Sequence, residues 1–323
     1  MCFQAISLFL LMTIKHIYLN IFIFLSFTLS AQTAKEFSEM ASSKIENKDY
    51  RNALEFINRA IQLNDTNQWY PIQKAEIEFK LYGPTEALSV IFKAMPLNRK
   101  NSEFYNRAGI YYESGGIADS AIYMYNMAIR YAKSDTIKYA YILNRGTARA
   151  GHRDFEGARV DYEKVLEFNP NDIGTLNNIA NVYRELKMPN KGIESLKKII
   201  KIDPSFIGPY INLGFAYLQL DSLDLSIKYF DEALKIDPNE ALVYSNRGNV
   251  YYKLKNYLAA LKDINYSISL YPSNSYAYRN LALVYIATNK MSEACETLKF
   301  ADYYGFEQRY GDEVKNLRAK HCK

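Results

Sequence analysis

Few side chains in this sequence are of the kind that make or break bonds. There are three histidines, His16, His152 and His321, and three cysteines, Cys2, Cys295 and Cys322. No Ser/His/Asp arrangement and no phosphate-cradling glycine loop surrounds them. His321 and Cys322 are adjacent, but no further ligand stands at metal-site spacing. The carboxylates are spread along the chain at salt-bridge distances from Lys and Arg, as on solvated helix faces. This inventory predicts no enzyme, no metal, no cofactor and no small-molecule substrate. One constellation remains: Asn144, Asn178, Asn212, Asn246 and Asn280 follow one another every 34 residues, with Asn181 and Asn249 three places further on in two cases. An amide carries both a donor and an acceptor, so a row of them suits recognition of a peptide backbone rather than catalysis. A row at such a spacing needs an element repeated at the same spacing.

That element is visible in the prolines. Pro170, Pro204, Pro238 and Pro272 are also 34 residues apart, a period longer than a heptad and suited to a helix–turn–helix unit. With proline as the thirty-second residue of each unit, the eighth is small (Ala180, Gly214, Gly248, Ala282) and the eleventh is Tyr (Tyr183, Tyr217, Tyr251, Tyr285). The twentieth is small (Gly192, Ser226, Ala260, Ala294) and the twenty-fourth is bulky (Leu196, Phe230, Ile264, Leu298). Small residues let two helices approach where they cross, and a large one there costs about 1–3 kcal/mol. Proline ends the second helix, because the residue before it is driven out of the helical region. The Asn or Ser that follows suits the start of the next helix.

This pattern resembles the tetratricopeptide repeat. The resemblance extends backwards to eight units, 34–67, 68–101, 102–138, 139–172, 173–206, 207–240, 241–274 and 275–308, so it covers nearly the whole chain after residue 33. The first two units are atypical, with Asp65 and Arg99 in place of the proline. The unit at 102–138 carries about three extra residues near Thr136–Lys138, where a longer loop is expected. The resemblance implies an all-α, right-handed superhelical solenoid of antiparallel helix pairs, stable only through stacking of its units. It also implies that the first helix of each unit lines a concave groove into which the asparagines point. The expected peptide-binding residues are therefore Asn144, Asn178, Asn212, Asn246, Asn280, Asn181, Asn249 and Arg279. Asn106, Arg107, Asn177, Arg184, Gln219, Ser245 and Lys253 are further groove candidates. The opposing expectation is that these asparagines merely accompany the repeat. The family's clamp for a C-terminal carboxylate needs a cation beside the Asn in successive units. Arg279 beside Asn280 is the nearest match, so a free C-terminus is not the expected ligand. The expected partner is a protein or peptide segment held by a non-catalytic scaffold. The alternative is a structural or assembly component acting through self-association or the convex face.

Composition agrees with a folded array. Hydrophobic residues make up 49% of 323, enough to build a core, and 14 Gly with 9 Pro leave little for long linkers. The net charge of +5 is dispersed among acids, which argues against nucleic acid, whose phosphates need clustered Lys and Arg.

Residues 1–31 are almost wholly apolar, with Lys15 as the one formal charge. Read from Met12, they form a basic start, an apolar run from Ile17 to Leu29 and a small residue at Ala31, which predicts a signal peptide cut after Ala31 and export to a periplasmic or extracellular location. Read from Met1, the longer run predicts a retained membrane anchor instead, the one route by which a membrane enters. Residues 309–323 are expected to form a capping helix over the last unit. Cys295 falls in the second helix of that unit and Cys322 in the cap, so an exported chain would bring them together as a disulfide. The alternative is two free thiols.

Overall fold

The computed structural model describes residues 33–322. The signal or anchor expected at 1–31 lies outside them. The described residues are helical throughout, with no strand among them, and none of their helices is long and apolar enough to cross a membrane. The chain divides at Val165/Leu166 into two compact units.

The first unit holds α1 at 33–46, α2 Tyr50–Leu63, α3 Trp69–Leu81, α4 Pro84–Ala94, a 3-10 turn at Met95–Leu97, α5 Ser102–Ser114, α6 Ala118–Arg130, α7 Asp135–Gly151 and most of α8 Phe155–Phe168. Consecutive helices pack as antiparallel pairs. One apolar cluster joins Ala41, Ala53, Ile57, Tyr70 and Ile77, and the next joins Ala75, Ala87, Ile91, Phe104, Ala108 and Tyr111. The extra residues near Thr136–Lys138 do not form the expected loop. They lengthen α7 to 17 residues, because Ser134 accepts a hydrogen bond from the Ile137 amide and starts the helix early.

The second unit holds α9 Ile173–Glu185, α10 Pro189–Ile202, α11 Ile207–Gln219, α12 Leu223–Ile236, α13 Ala241–Lys253, α14 Tyr257–Leu270, α15 Ser275–Ala287, α16 Met291–Tyr303, α17 Phe306–Tyr310 and α18 Glu313–His321. Its cores follow the same plan: Phe230 with Val243 and Val250, then Ile264 with Ala277 and Val284, then Leu298 with Phe306 and Val314 of the terminal helices.

The periodic residues act as their sizes require. A Cβ added to Gly214 would lie 2.5 Å from the Phe230 ring, and one on Gly248 would lie 2.5 Å from Ile264. Where the eighth residue is Ala instead (Ala180, Ala282), the twenty-fourth is Leu, a smaller partner than the Phe or Tyr found opposite most glycines. Volume is thus shared between the two positions at each crossing. Another regularity lies at the proline. The hydroxyls of Tyr210, Tyr244 and Tyr278 donate to the carbonyls of Pro204, Pro238 and Pro272 at 3.0–3.1 Å, and Tyr105 does the same to Arg99, which stands where later units have proline. Each clasp ties a first helix to the turn that precedes it.

Candidate functional site

The asparagine row does not behave as one set. Asn280 on α15 is 1% exposed, and its amide donates to the carbonyl and hydroxyl of Ser245 on α13 at 3.1 and 3.3 Å. Asn212 on α11 donates to Asn177 on α9 at 3.4 Å. In the first unit Asn144 donates to Asn106 at 3.0 Å, and Gln73, the sixth residue of an earlier repeat, donates to the Ser38 carbonyl at 3.0 Å. The sixth residue of one repeat therefore bonds to the fifth residue of the repeat before it. It joins neighbouring first helices wherever that fifth residue is polar. Before Asn246 the fifth residue is Ile211, which offers no side-chain partner. Asn178 and Asn246 are half-buried, and no side-chain hydrogen bond ties either amide within the described residues.

The other expected ligand contacts also divide. Asn249 is 8% exposed and sits largely in the packing, while Asn181 is half-buried and donates to the Asn177 carbonyl of its own helix at 3.2 Å. Arg279 is engaged on three sides: it pairs with Glu313 of α18, donates to the Asn280 Oδ1 at 2.8 Å, and lies 5.5 Å from the Tyr276 ring centre. An Arg so held is a link to the terminal helix, not an open carboxylate clamp.

A cavity of about 290 Å³ opens between α9, α10 and α11. Its lining is apolar from Ile193, Leu196 and Phe215, with the exposed Leu220 at its edge, and its polar lining residues are Asn181, Arg184, Lys187, Asn212 and Gln219. No carboxylate lines it. Ala180, Pro189, Gly192 and Ala216 complete the wall.

Two ionic clusters were not anticipated from the sequence. Asp161, fully buried, receives both Arg145 (2.5 and 2.9 Å) and Arg149 (2.8 Å). In the second unit Arg247 donates twice to Asp263 (2.7 and 3.0 Å) and once to Asp231 (2.5 Å). Burial opposes the Arg247 charge, yet the two aspartates hold its pKa above the ordinary guanidinium range. The signal for both was an Arg sixteen residues before an Asp, in the seventh and twenty-third places. These groups are occupied chiefly with each other, although the buried Arg149 Nε has no hydrogen-bond partner, and among the described residues no cluster of His, Cys, Asp or Glu is arranged to hold a metal. His152 lies exposed in the turn after α7. Cys295 of α16 and Cys322 after α18 are joined, with sulfurs 2.02 Å apart.

Helix pairs, small-residue crossings and proline-terminated second helices define a class, that of helical repeat arrays. Within it, this chain carries tetratricopeptide repeats. The family described as Tetratricopeptide repeat matches residues 173–206 and 241–274, and that described as TPR repeat matches 216–255. A tetratricopeptide repeat protein from Parabacteroides merdae shares the fold at a TM-score of 0.59 and 16% identity, covering 89% of this chain and 99% of that one. A chain of the Cut9–Hcn1 hetero-tetramer of the APC/C does so at 0.56 and 15%, covering 85% and 53%. The structure of MamA is 29% identical over 50% of this chain and 95% of its own, with a TM-score of 0.45. No curated protein matches the sequence.

Proposed function

We propose that the chain is a non-catalytic scaffold that holds an extended segment of a protein partner along the first helices of its second unit, α9, α11 and α13. One observation carries this reading: among the described residues, the half-buried amides of Asn178 and Asn246 have no side-chain hydrogen-bond partner. A partly desolvated amide without a partner gains from a passing peptide group, which offers an acceptor and a donor without demanding a sequence. The partner's backbone would supply the affinity, and the side chains around it would supply selectivity. The test is capture of binding peptides by the native chain and by Asn178→Ala/Asn246→Ala. Loss of about tenfold or more in affinity with unchanged helicity supports the reading; equal binding by both refutes it.

A second reading, self-association through the second helices, draws on Leu258 of α14 and Tyr303 of α16, which are 84% and 80% exposed. It predicts dimers or larger species by light scattering, lost in Leu258→Lys/Tyr303→Lys. We further infer export, on the apolar run before residue 32 and on the Cys295–Cys322 pair, which suits an oxidising compartment. Mass spectrometry of the protein recovered from its source should then find an N-terminus at Gln32.

A further inference from the structure

The cavity between α9, α10 and α11 owes its room to a truncation at Ala216, while Gly192 beside it lets α10 approach α9 closely, an added Cβ lying 3.2 Å from the Ala180 carbonyl oxygen. The twentieth residue is Ala or Ser in every other repeat (Ala53, Ala87, Ala121, Ala158, Ser226, Ala260, Ala294) and Gly only at Gly192. The tenth residue of the second unit's repeats is Val at Val182, Val250 and Val284, which are 3%, 0% and 0% exposed, and Ala only at Ala216, which is half-buried. Both shortened residues line the same cavity. Two methyl groups that the sister repeats use to fill their own core are missing at Ala216. An apolar void with solvent access carries lost contacts and exposed apolar surface, so it stands only at a cost in stability.

The rim gives the occupant's polarity. Arg184 and Lys187 stand over the opening, and no Asp or Glu lines it. Among the described residues Arg184 pairs with the neighbouring Glu185, at 3.4 Å, with both side chains more than a third exposed. An exposed pair of that kind is worth little and yields readily to a better-placed carboxylate. Lys187 sits in the left-handed region at φ 57°, in the turn between α9 and α10. The volume lies at the lower edge of small-molecule sites, about 300–1,000 Å³, and suits one large side chain.

We propose that this cavity takes a single large apolar side chain, Leu- to Phe-sized, from a partner segment that carries an Asp or Glu within a few residues of it. The inference rests on the reading of the first helices as a peptide-binding face, and it names the anchor by which that face selects. The anchor fills the space left by Ala216, and the acid meets Arg184 and Lys187 at the rim. Buried anchors in fitted pockets carry most of the affinity of such interfaces.

Short random peptides displayed as a library, selected on the full chain, supply the probe. Selected peptides are then titrated by fluorescence anisotropy against the native chain, Ala216→Val, Gly192→Ala, Arg184→Glu/Lys187→Glu and Asn178→Ala/Asn246→Ala. The selected sequences should share one large apolar residue with an acid nearby. Ala216→Val should weaken them by about tenfold or more while its melting temperature holds or rises, because Val occupies that place in three sister repeats. Charge reversal at the rim should weaken acidic peptides and spare those whose acids are replaced by amides. Unchanged binding to Ala216→Val, or selected peptides with no apolar residue in common, overturns the cavity assignment. If those same peptides are still lost with Asn178→Ala/Asn246→Ala, the groove reading stands and only the anchor falls. If no peptide binds the native chain, both fall.

Discussion

Arg247 makes three short contacts to two carboxylates in a half-buried place, and Asp263 beneath it is 5% exposed. Such a cluster contributes little against an apolar alternative, but removing one member strands the other. Asp263→Ala should destabilise by about 3 kcal/mol in urea melts. Arg247→Leu on top of it should recover much of that loss, since the sister repeats place Ile179, Leu213 and Leu281 where Arg247 stands. A double mutant no more stable than the single one would show that the cluster is not the reason. The asparagines make a sharper contrast. Asn280→Ala leaves the Ser245 carbonyl without its buried donor and should cost about 1–3 kcal/mol. Asn246→Ala removes no side-chain hydrogen bond among the described residues and should stay within about 0.5 kcal/mol. The two look alike in the sequence, one repeat apart. What separates them is the fifth residue of the preceding repeat, Ser245 or Ile211, and that pairing exists only once helices from different repeats lie side by side.

At the scale of elements, seven of the eight hairpins between a first and second helix turn on a residue in the left-handed region. Lys48, Arg153, Lys187, Asp221, Lys255 and Asn289 all stand at the fifteenth place of their repeats, with φ between 55° and 64°, and Gly116 fills the same place in another. A side chain with a Cβ is disfavoured there by about 1–2 kcal/mol. Lys255→Gly should therefore raise the melting temperature slightly, and Lys255→Val should lower it by several degrees. The positions of the helices were legible from the prolines and the small residues. The left-handed turn was not, because Lys and Arg, which take that place in four of the repeats, carry no turn signal of their own. Nor was the lengthening of α7, where an insertion continued a helix that Ser134 had already started. The cavity was equally hidden: Gly192 and Ala216 each pass as an ordinary small residue until α10 and α11 are seen to face one space. At the C-terminal end, thiol titration of the unfolded, unreduced protein should find neither Cys295 nor Cys322 free. Reduction should cost about 3–4 kcal/mol on the chain-entropy account for a loop of 27 residues.

For the whole molecule, the abundance of tyrosine sets its response to alkali. Burial pushes Tyr111 and Tyr141 from 10.0 up to about 12, and it drives Tyr125, which also donates to Glu113, higher still. In the unfolded chain these phenols lose their protons near pH 10. In the folded chain they keep them, so the stability they carry is complete below pH 10 and is lost as the pH climbs towards 12. Urea melts repeated across that window should show a falling midpoint, and absorbance at phenolate wavelengths should rise together with unfolding rather than ahead of it. The bridge between Cys295 and Cys322 has a mechanical consequence as well. Tension applied to the end of the chain passes across the sulfurs into α16 and bypasses α17 and α18, so these two helices stay slack under load. The stretch of 27 residues inside the loop cannot be drawn out, and the fully extended protein is shorter by roughly 90 Å for as long as the bond survives. A molecule pulled between its ends should gain that length in one additional step when a reductant is added.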